Sequence, residues 1–284
     1  MLKVGSILSR ELVTVAPECP VERAQWLMRE RKLRHLPVVE DGRLVGMLSE
    51  RDLLERPRPA PRPGKAAERT VEVRDRMGVS LETVQADESV PQAARRLFER
   101  RVGSLPVIAE GRLVGVVSES DCLRLYVRVC RMAGRDAKVD PPLERCMSRD
   151  VLTATPTTSV LEAFELCRSK GIRHLPVVFE GWLVGIVSDR DLLPVVGRGE
   201  GARRVEDVMS KDFVAVTGGT TPLSEAAACM LRDGFHALPV VESGALRGIV
   251  TSADVLHALA EVGEEALESA WRSQEALAEA RVEE

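Results

Sequence analysis

A stretch of 21 residues that occurs twice constrains this 284-residue chain more than any other feature. Residues 34–54 (RHLPVVEDGRLVGMLSERDLL) and 173–193 (RHLPVVFEGWLVGIVSDRDLL) are identical at 15 of 21 positions. Looser copies bring the number of Leu-Pro-Val blocks to four, beginning at residues 36, 105, 175 and 238. A hydroxyl residue follows each block at the same intervals of 69, 70 and 63 residues: Ser49, Ser118, Ser188 and Thr251. The spacing predicts a fold built from four similar pieces, which we number copies one to four.

Each copy predicts two short strands, a tight turn and a following helix. In copy one the strands cover His35–Glu40 and Arg43–Ser49, with a turn at Asp41-Gly42, because such turns favour residues that tolerate positive φ. The helix opens at Ser49. An amphipathic helix precedes the hairpin, since Val21, Ala24, Leu27 and Met28 share one helical face. An extended segment comes before that helix in every copy: Leu12–Ala16, Glu82–Ala86, Leu152–Thr155 and Phe213–Thr217.

The resulting β-α-β-β-α unit defines the expected fold class, α/β of the α+β type. A unit of about 60 residues buries too little surface to be stable alone, so neighbouring copies should pair. The predicted boundaries are residues 1–56 for copy one, 57–69 for a Pro/Arg-rich linker, 70–133 for copy two, 134–143 for a second linker, 144–198 for copy three, 199–260 for copy four and 261–284 for an acidic C-terminal helix.

Three connecting segments carry their own expectations. The sequence RPRPAPRPGK (residues 56–65) should form an extended, polyproline-like spacer. The second helix of copy two should run from about Glu119 towards Met132, until Gly134–Pro142 breaks it. The tail from Ala260 to Glu284 should form a helix with a narrow apolar stripe that packs on its own body or on a partner.

Composition excludes several classes of protein. The net charge of −4 gives no reason to expect bulk electrostatic binding of nucleic acid. No apolar run approaches the roughly 20 residues that span a membrane, and the N-terminus lacks the layout of a signal peptide. The six cysteines are scattered without a C-x-x-C pair, which is typical of reduced thiols. We therefore predict a cytoplasmic protein that binds neither nucleic acid nor membrane.

The Ser/Thr-x-x-Asp motif at the start of each second helix suggests a binding site. In copy one, Ser49 lies at a helix N-terminus, where free backbone N–H groups favour a phosphate. Asp52 offers oxygens that can accept both hydroxyls of a ribose, and Arg51 offers a forked donor for phosphate. Arg34 and His35, just before the buried strand, can turn towards the same cleft. Copy three repeats the set with Arg173, His174, Ser188, Arg190 and Asp191.

The same motif also fits a capping box, which needs no ligand. The presence of Asp in all four copies, with Arg alongside in copies one and three, favours the binding interpretation for those two. Copy two keeps Ser118 and Asp121 but has Gly103-Ser104 and Ser120 in place of the basic residues. Copy four keeps His236, Thr251 and Asp254, with Ala253 in place of the arginine. The sequence therefore predicts unequal sites: strong in copies one and three, weak in copy four, and absent from copy two.

The chain resembles the CBS-domain family, with four repeats forming two tandem (Bateman) modules. The resemblance is carried by the h-P-V-V/I strand, the L-x-G-h-h strand and the S/T-x-x-D helix start, each in order and in all four copies. It covers about residues 1–127 and 144–260. It implies that two copies pack about a pseudo-twofold axis and that the clefts bind adenosine-containing ligands: AMP, ADP or ATP, with S-adenosylmethionine and NAD-type molecules as further classes. The first-strand threonines Thr14, Thr83 and Thr153 would then contact base or ribose.

Three functions follow from these observations. The first is a non-catalytic sensor that binds an adenine nucleotide and regulates an unidentified partner protein. The second is a structural scaffold with empty clefts. The third is an enzyme, for which the sequence offers no metalloprotease, nucleophile-elbow, P-loop or dinucleotide-binding motif and no clustered histidines. The two modules could face each other within one chain or pair with a second chain, and the apolar stripe of the tail favours a homodimer.

Overall fold

Each of the four copies contains the α-β-β-α part of the predicted unit in the computed structural model, which describes residues 1–8, 12–55, 70–134, 136–269 and 271. The preceding strand is formed in copies two and four. Copy one contains α1 (Val21–Glu30), β1 (His35–Glu40), β2 (Arg43–Ser49) and α2 (Glu50–Glu55). Copy two contains β3 (Val84–Gln85), α3 (Val90–Arg100), β4 (Ser104–Ala109), β5 (Arg112–Ser118) and α4 (Glu119–Ala133). The predicted spacer at residues 56–65 lies outside the described residues.

Copies three and four complete the chain. Copy three contains α5 (Leu143–Cys146), α6 (Val160–Lys170), β6 (His174–Phe179), β7 (Trp182–Ser188) and α7 (Asp189–Gly197). Copy four contains β8 (Val216–Thr217), α8 (Leu223–Asp233), β9 (Ala237–Glu242), β10 (Ala245–Thr251) and α9 (Ser252–Glu261). The first extended segment is shorter than predicted. In copies one and three it makes only one parallel bridge, from Val15 to Val38 and from Ala154 to Val177.

The hairpins agree with the sequence in both length and turn. Asp41 and Gly42 have φ values of 48° and 76°, as the predicted turn requires. β1 and β2 pair antiparallel from His35 opposite Ser49 to Glu40 opposite Arg43. The long helix α4 also agrees, because it ends at Ala133 and Gly134 follows it with a φ of 68°.

The segment that leads into each copy packs on the neighbouring copy. Val4 and Val73 each begin a short 3-10 turn, as does Val205, while Leu143 begins α5. These four side chains are fully buried, each in the core of the other copy of its pair. Copies one and two, and copies three and four, therefore exchange their leading segments, which confirms the predicted pairing into two modules.

A glycine in the second strand of each hairpin makes room for this exchange. A Cβ atom added at Gly248 would lie 2.6 Å from Sδ of Met147 and 2.8 Å from the carbonyl oxygen of Ser148. Gly46, Gly115 and Gly185 meet the equivalent side chains of their own partner copies: Met77, Leu8 and Met209. The glycine of the L-x-G-h-h motif is thus required by the close approach of the partner copy.

The two modules face each other through two different sets of helices. α3 packs against α9, and α4 packs against α8 and α9, so copies two and four form one continuous hydrophobic core. We call this contact the apolar face. Copies one and three keep separate cores and meet where α2 packs against α7. We call this contact the polar face, because Arg51 pairs with Asp189 and Arg190 pairs with Glu50 across it. Both faces lie within one chain.

The tail differs from the single helix that the sequence predicts. α9 ends at Glu261, the chain turns at Val262-Gly263, and helix resumes over residues 264–269. Val262 and Leu267 are buried in the core of the apolar face, and Trp271 packs against it with the Arg128 guanidinium 5.1 Å from its ring centroid. The described part of the apolar stripe is therefore covered by the chain itself, while Ala270, Leu277 and Arg281 lie outside the described residues.

All six cysteines are free thiols, as their scattered positions predict. Burial raises the pKa of the Cys167 thiol to about 11 and that of Cys130 to about 12. Among the helices that the structure describes, none combines the length and the hydropathy that a bilayer crossing needs.

Candidate functional site

The residue two places before each Leu-Pro-Val block lies beside the N-terminus of the second helix of its own copy. Its carbonyl oxygen accepts a hydrogen bond from the first N–H of that helix in all four copies. The acceptors are Arg34, Gly103, Arg173 and His236, and the donors belong to Glu50, Glu119, Asp189 and Ser252, at 2.9, 3.0, 3.0 and 2.9 Å. By this register, His236 is the structural equivalent of Arg34 and Arg173, and Ala237 is the equivalent of His35 and His174. Copy four therefore does not keep the histidine of copies one and three, as the sequence comparison suggested.

The Ser/Thr-x-x-Asp motif forms a capping box in every copy. One carboxylate oxygen of the aspartate, Oδ2, accepts from both the backbone N–H and the hydroxyl of the Ser or Thr. The N–H and hydroxyl distances are 2.7 and 2.6 Å for Ser49–Asp52, 2.9 and 2.6 Å for Ser118–Asp121, 2.8 and 2.6 Å for Ser188–Asp191, and 2.7 and 2.9 Å for Thr251–Asp254. The structure thus confirms that the four motifs form capping boxes. Ligand binding by the same aspartates stays a prediction.

Arg34 of copy one reaches across to the other module. Its Nη1 pairs with Nε2 of His236 in copy four, and its Nη2 lies 3.4 Å from Oγ of Ser120 in copy two. Burial and the nearby charge of Arg190 lower the pKa of Arg34. Arg34, which the sequence predicts to bind phosphate in copy one, therefore contacts copies two and four as well. We call the place where these copies meet around Arg34 the centre of the molecule.

Glu119 of copy two completes this contact. Its Oε2 lies 3.3 Å from Nδ1 of His236 and accepts a hydrogen bond of 3.2 Å from Oγ of Ser252, the first residue of α9. Burial raises the pKa of Glu119, but the interaction with His236, the charge of Arg173 and the bond from Ser252 outweigh burial. Its pKa therefore lies below the ordinary value, and the carboxylate is charged at neutral pH.

The arginines of the Ser-x-Arg-Asp motifs form reciprocal ion pairs across the polar face. Nη1 of Arg51 lies 3.5 Å from Asp189 Oδ2, and Nη1 of Arg190 lies 3.6 Å from Glu50 Oε2. Both arginine side chains are 45% exposed, so the pairs are open to solvent. Arg51 and Arg190, the two arginines that the sequence predicts to bind phosphate, thus pair with carboxylates of the opposite module. A phosphate would have to compete with these carboxylates.

His35 and His174 belong to the same centre but carry no charge at neutral pH. Burial and the nearby positive charge of Arg34 lower the pKa of His35 to about 4. Burial, His236 and Arg173 lower the pKa of His174 to about 4 as well. The two imidazoles can offer hydrogen bonds to a ligand, but they do not supply positive charge. The positive charge of this region comes from arginine.

Copy two has glycine at the position of Arg34 for a steric reason. A Cβ atom added at Gly103 would lie 2.7 Å from Cε1 of His35. The imidazole of copy one therefore occupies the space that a side chain at residue 103 would need. Arg173 lies at the corresponding place in copy three, and its Nη2 donates a 2.6 Å hydrogen bond to the carbonyl oxygen of Arg101.

Two cavities occur within the second module. One of 230 Å³ lies between the leading segment of copy three and α9, and its lining includes Arg145, Cys146, Asp254 and His257. Burial raises the pKa of Asp254. The other, of 270 Å³, is lined by Thr153 together with Arg149 and the hairpin residues Gly181 and Arg247. Asp254 and Thr153 thus line different cavities.

The remaining predicted residues are accessible in their own copies. Thr14 is exposed, and so is Asp191, whereas Ser188 and Asp52 are half-buried. Asp121 pairs through Oδ1 with Arg124 at 3.0 Å, in addition to its capping box. Within the described ranges, no group of three or more His, Cys, Asp or Glu side chains could hold a metal ion.

Sequence reasoning missed Glu50, Glu119 and Asp189, the acids that open the second helices. A signal was available, because copies one to three have an acid directly after the Ser of the motif, whereas copy four has Ser252. It also missed the leading segments, although each copy has an apolar residue followed four places later by Leu or Met. These pairs are Val4 and Leu8, Val73 and Met77, Leu143 and Met147, and Val205 and Met209.

Comparison with known proteins agrees with this architecture. The CBS-domain family profile matches residues 4–58, 73–128, 143–198 and 205–261. The chain belongs to the CBS-domain family. Four CBS domains, paired into two modules, account for the capping boxes, the exchanged leading segments and the glycines described above.

Among relatives, protein MJ1225 of Methanocaldococcus jannaschii is 26% identical over 276 residues, covering 87% of this chain and 95% of that protein. Its crystal structure, presented as that of a proposed archaeal homologue of γ-AMPK, matches with a TM-score of 0.72 over 90% of this chain and 99% of that one. A conserved protein of Pyrococcus horikoshii matches in fold, with a TM-score of 0.63, 23% identity and coverage of 91% of this chain and 100% of that one.

Enzymes match only in part. The inosine-5′-monophosphate dehydrogenase of Korarchaeum cryptofilum is 43% identical over 122 residues, which is 43% of this chain and 25% of the enzyme. Such a match corresponds to about one pair of CBS domains.

Proposed function

We propose that this chain is a non-catalytic regulatory protein that binds adenosine-containing ligands, AMP, ADP or ATP, in the clefts between paired CBS domains. The observation that carries the proposal is the meeting of the second-helix N-termini with Arg34, Arg173 and His236 at the centre of the molecule. Helix N-termini and arginine side chains are the groups that bind phosphate, and each adjacent aspartate has a second carboxylate oxygen with which to accept a ribose hydroxyl.

The proposed mechanism is a shift between arrangements of the two modules. A phosphate bound by Arg51 or Arg190 competes with Asp189 or Glu50, so ligand binding weakens the pairs that hold the polar face together. The apolar face continues as one core and keeps the modules attached. A ligand that binds the opened polar face more tightly then changes the surface offered to a regulated partner protein.

Thermal shift with AMP, ADP, ATP, S-adenosylmethionine and NADH tests the proposal on the full chain. Specific binding to the folded state stabilises it by about 2.7 kcal/mol at a hundredfold excess over the dissociation constant. We expect the shift with one ligand to disappear in the Asp52→Ala/Asp191→Ala double variant. Asp121→Ala is the matched control, because it removes the same capping box from the copy that lacks the basic residues.

A structural scaffold is the second candidate, and the four complete capping boxes favour it. If these aspartates serve only as helix caps, no adenine compound changes the melting temperature. Loss of the shift to the same extent in all three aspartate variants would instead contradict the predicted inequality of the sites. We expect the chain to show no turnover of ATP in the same preparation.

Assembly needs a separate measurement. The predicted homodimer rested on the apolar stripe of the tail, and the described part of that stripe packs on the chain's own core. Sedimentation velocity distinguishes a mass of 31.1 kDa for one chain from twice that mass for a dimer. A monomer would mean that one chain supplies both modules of the assembly.

A further inference from the structure

The cavity of 270 Å³ lies where copies three and four join their sheets. Trp182 of β7 pairs with Ala245 of β10, and the Leu183 N–H donates a 3.3 Å hydrogen bond to the Gly244 carbonyl oxygen. The second module therefore has one five-stranded sheet, whereas the described strands of copies one and two form two separate sheets. Both copies line the cavity at this junction: Arg149, Val151, Thr153 and Gly181 from copy three, and Leu246 and Arg247 from copy four.

Arg247 is an exception at a strand position that is otherwise apolar. It occupies the middle place of the L-x-G motif, where copies one, two and three have Val45, Val114 and Val184. The Arg247 side chain is 57% exposed and lines the cavity together with Arg149. Copy four thus differs from the other three copies by a positive charge at the junction of the sheets.

The two guanidinium groups keep donors for a ligand. Arg247 pairs with Glu242 through Nε at 2.9 Å, which leaves its two terminal nitrogens. Arg149 donates from Nη2 to the carbonyl oxygen of Glu144 at 3.2 Å, and that acceptor is uncharged. Among the residues that the structure describes, neither arginine has a further hydrogen-bond or ion-pair partner.

The charge of the lining is positive. It includes two arginines and no Asp or Glu side chain. Asp150 and Glu180 adjoin lining residues in the chain, but both are exposed, so water and salt screen their charges. Glu242 offsets the charge of Arg247 only in part, because both side chains of that pair are more than half exposed. The charge of Arg149 has no partner of this kind.

These groups suit an anion. A guanidinium binds a phosphate through two parallel hydrogen bonds, and the Thr153 hydroxyl adds a neutral donor. The family resemblance assigns Thr153 to a base or ribose, but the two arginines beside it favour a negatively charged group. None of the residues that line this cavity belongs to the centre of the molecule, where the predicted phosphate-binding arginines lie.

We infer that Arg149, Arg247 and Thr153 form an anion-binding site at the junction of copies three and four, which binds a phosphate group. This group is either free phosphate or part of a nucleotide. The inference goes beyond the proposed function and does not rest on it, because the same donors bind phosphate whether or not a nucleoside is attached.

Equilibrium dialysis with radiolabelled inorganic phosphate tests the inference on the full chain. Arg247→Val introduces the residue of the other three copies at an exposed position, so the fold should be kept. It should lower the affinity of one phosphate site at least about fivefold, since a charge-assisted hydrogen bond is lost. Arg149→Gln should act in the same way, and the double variant should lose the site. Arg232→Ala is the control, because Arg232 is an exposed, ion-paired arginine of copy four that does not line the cavity.

Two further measurements separate binding from folding. Urea denaturation should give the same midpoint for Arg247→Val and the wild type. Added sodium chloride should weaken phosphate binding more steeply in the wild type than in Arg247→Val, because the site is open to solvent. Equal phosphate binding by the wild type, Arg247→Val and Arg149→Gln would overturn the inference. So would an equal loss in Arg232→Ala.

Calorimetry with AMP and adenosine distinguishes the two sources of the phosphate. If the group belongs to a nucleotide, Arg247→Val weakens binding of AMP and leaves that of adenosine unchanged. If it is free phosphate, Arg247→Val changes only the dialysis result. An effect of Arg247→Val in neither experiment overturns the inference.

This inference and the proposed function fail in different ways. Phosphate binding that depends on Arg247, in a chain that binds no adenine compound, supports the junction site and contradicts the proposed function. Binding of adenine nucleotides that depends on Asp52 and Asp191 but not on Arg149 or Arg247, with phosphate binding equal in all variants, does the reverse.

Discussion

The polar face and the apolar face join the same two modules, but they differ in chemistry. On the apolar face, copies two and four merge into a continuous core that includes Leu259, Met230 and Leu125. On the polar face, copies one and three keep separate cores and meet through exposed ion pairs such as Arg51 with Asp189. The two faces therefore differ in what joins the modules: a continuous hydrophobic core on one, and solvent-exposed ion pairs on the other.

The residues at the centre follow the same division. Copies one and three supply Arg34, His35, Arg173 and His174, whereas copies two and four have Gly103, Ser104, His236 and Ala237 at those positions. Buried apolar area stabilises a contact far more than solvent-exposed ion pairs do. The comparison teaches that the copies with the most basic residues at the centre are the ones whose inter-module contact is weakest.

The largest effect is expected on the apolar face. Leu259→Ala should lower the free energy of unfolding by about 2–5 kcal/mol, because it leaves a cavity in the shared core. Urea denaturation followed by tryptophan fluorescence measures the change. Leu161→Ala, at a side chain that is 42% exposed, is the control and should change stability by about 0.5 kcal/mol or less. Equal losses in the two variants would contradict a shared core.

The next largest effect is expected at the glycine in the second strand of the hairpin, and it should differ between copy four and copy one. Gly248→Ala should cost about 1–3 kcal/mol, because the added Cβ meets both Met147 Sδ at 2.6 Å and a backbone oxygen at 2.8 Å. In Gly46→Ala the corresponding backbone oxygen is 3.3 Å away, and the flexible side chain of Met77 can move aside. Urea denaturation of both variants should therefore show a smaller loss in copy one. A larger loss in Gly46→Ala would show that the leading segments are not packed as described.

The histidines of copies one and three should make stability depend on pH. In the unfolded chain an imidazole gains a proton below about pH 6.5, but folded His35 and His174 stay neutral until about pH 4. Unfolding therefore takes up protons in this window, and stability falls as the pH falls from 6.5 towards 4. The loss is about 1.4 kcal/mol per imidazole for one pH unit.

Urea denaturation between pH 7 and pH 5 measures this dependence. His35→Gln and His174→Gln should each reduce its slope, since glutamine does not titrate. His257→Gln is the control, because His257 is exposed on α9 and lies outside the centre. An unchanged slope in the first two variants would contradict the buried, neutral state of these imidazoles.

The smallest effect is expected for the ion pairs of the polar face. A double-mutant cycle on Arg51 and Asp189 should give a coupling of about 0–1 kcal/mol, because Arg51 is 45% exposed and water screens the pair. The coupling should decrease further with added salt. A coupling of several kcal/mol would mean that the polar face is as firmly held as the apolar one, and the proposed opening by ligand would lose its basis.

Local features of the fold could be predicted from the sequence, and distant contacts could not. The β1–β2 hairpin and the capping box at Ser49 depend on residues close together in the chain, and the structure has both where expected. The pairing of Arg34 with His236 joins residues 202 positions apart, and that of Glu119 with Ser252 joins residues 133 apart. No periodicity within one copy carries information about which copies face each other.

The sequence therefore identifies the basic residues and the capping boxes around the predicted site but not the contacts that they make with other copies. The sequence places Arg51 beside Asp52 and suggests a phosphate ligand, yet it does not show that Asp189 of another copy competes for the same guanidinium. The neutral state of His35 was also hidden, because it follows from burial against Gly103 and from the charge of Arg34. The shared centre is a property of the four copies together.

The exchange of leading segments has a consequence for synthesis on the ribosome. Val4 and Gly5 donate to carbonyl oxygens of Glu88 and Ala86, and Leu8 lies against Gly115. The leading segment of copy one is thus synthesised before its partners, which lie about 80–110 positions later in the chain and follow after roughly 5–20 seconds at ordinary elongation rates. Until then copy one lacks the piece that copy two contributes, so the nascent chain gains native structure in steps of one module. The smallest fragment expected to fold is a complete pair of copies.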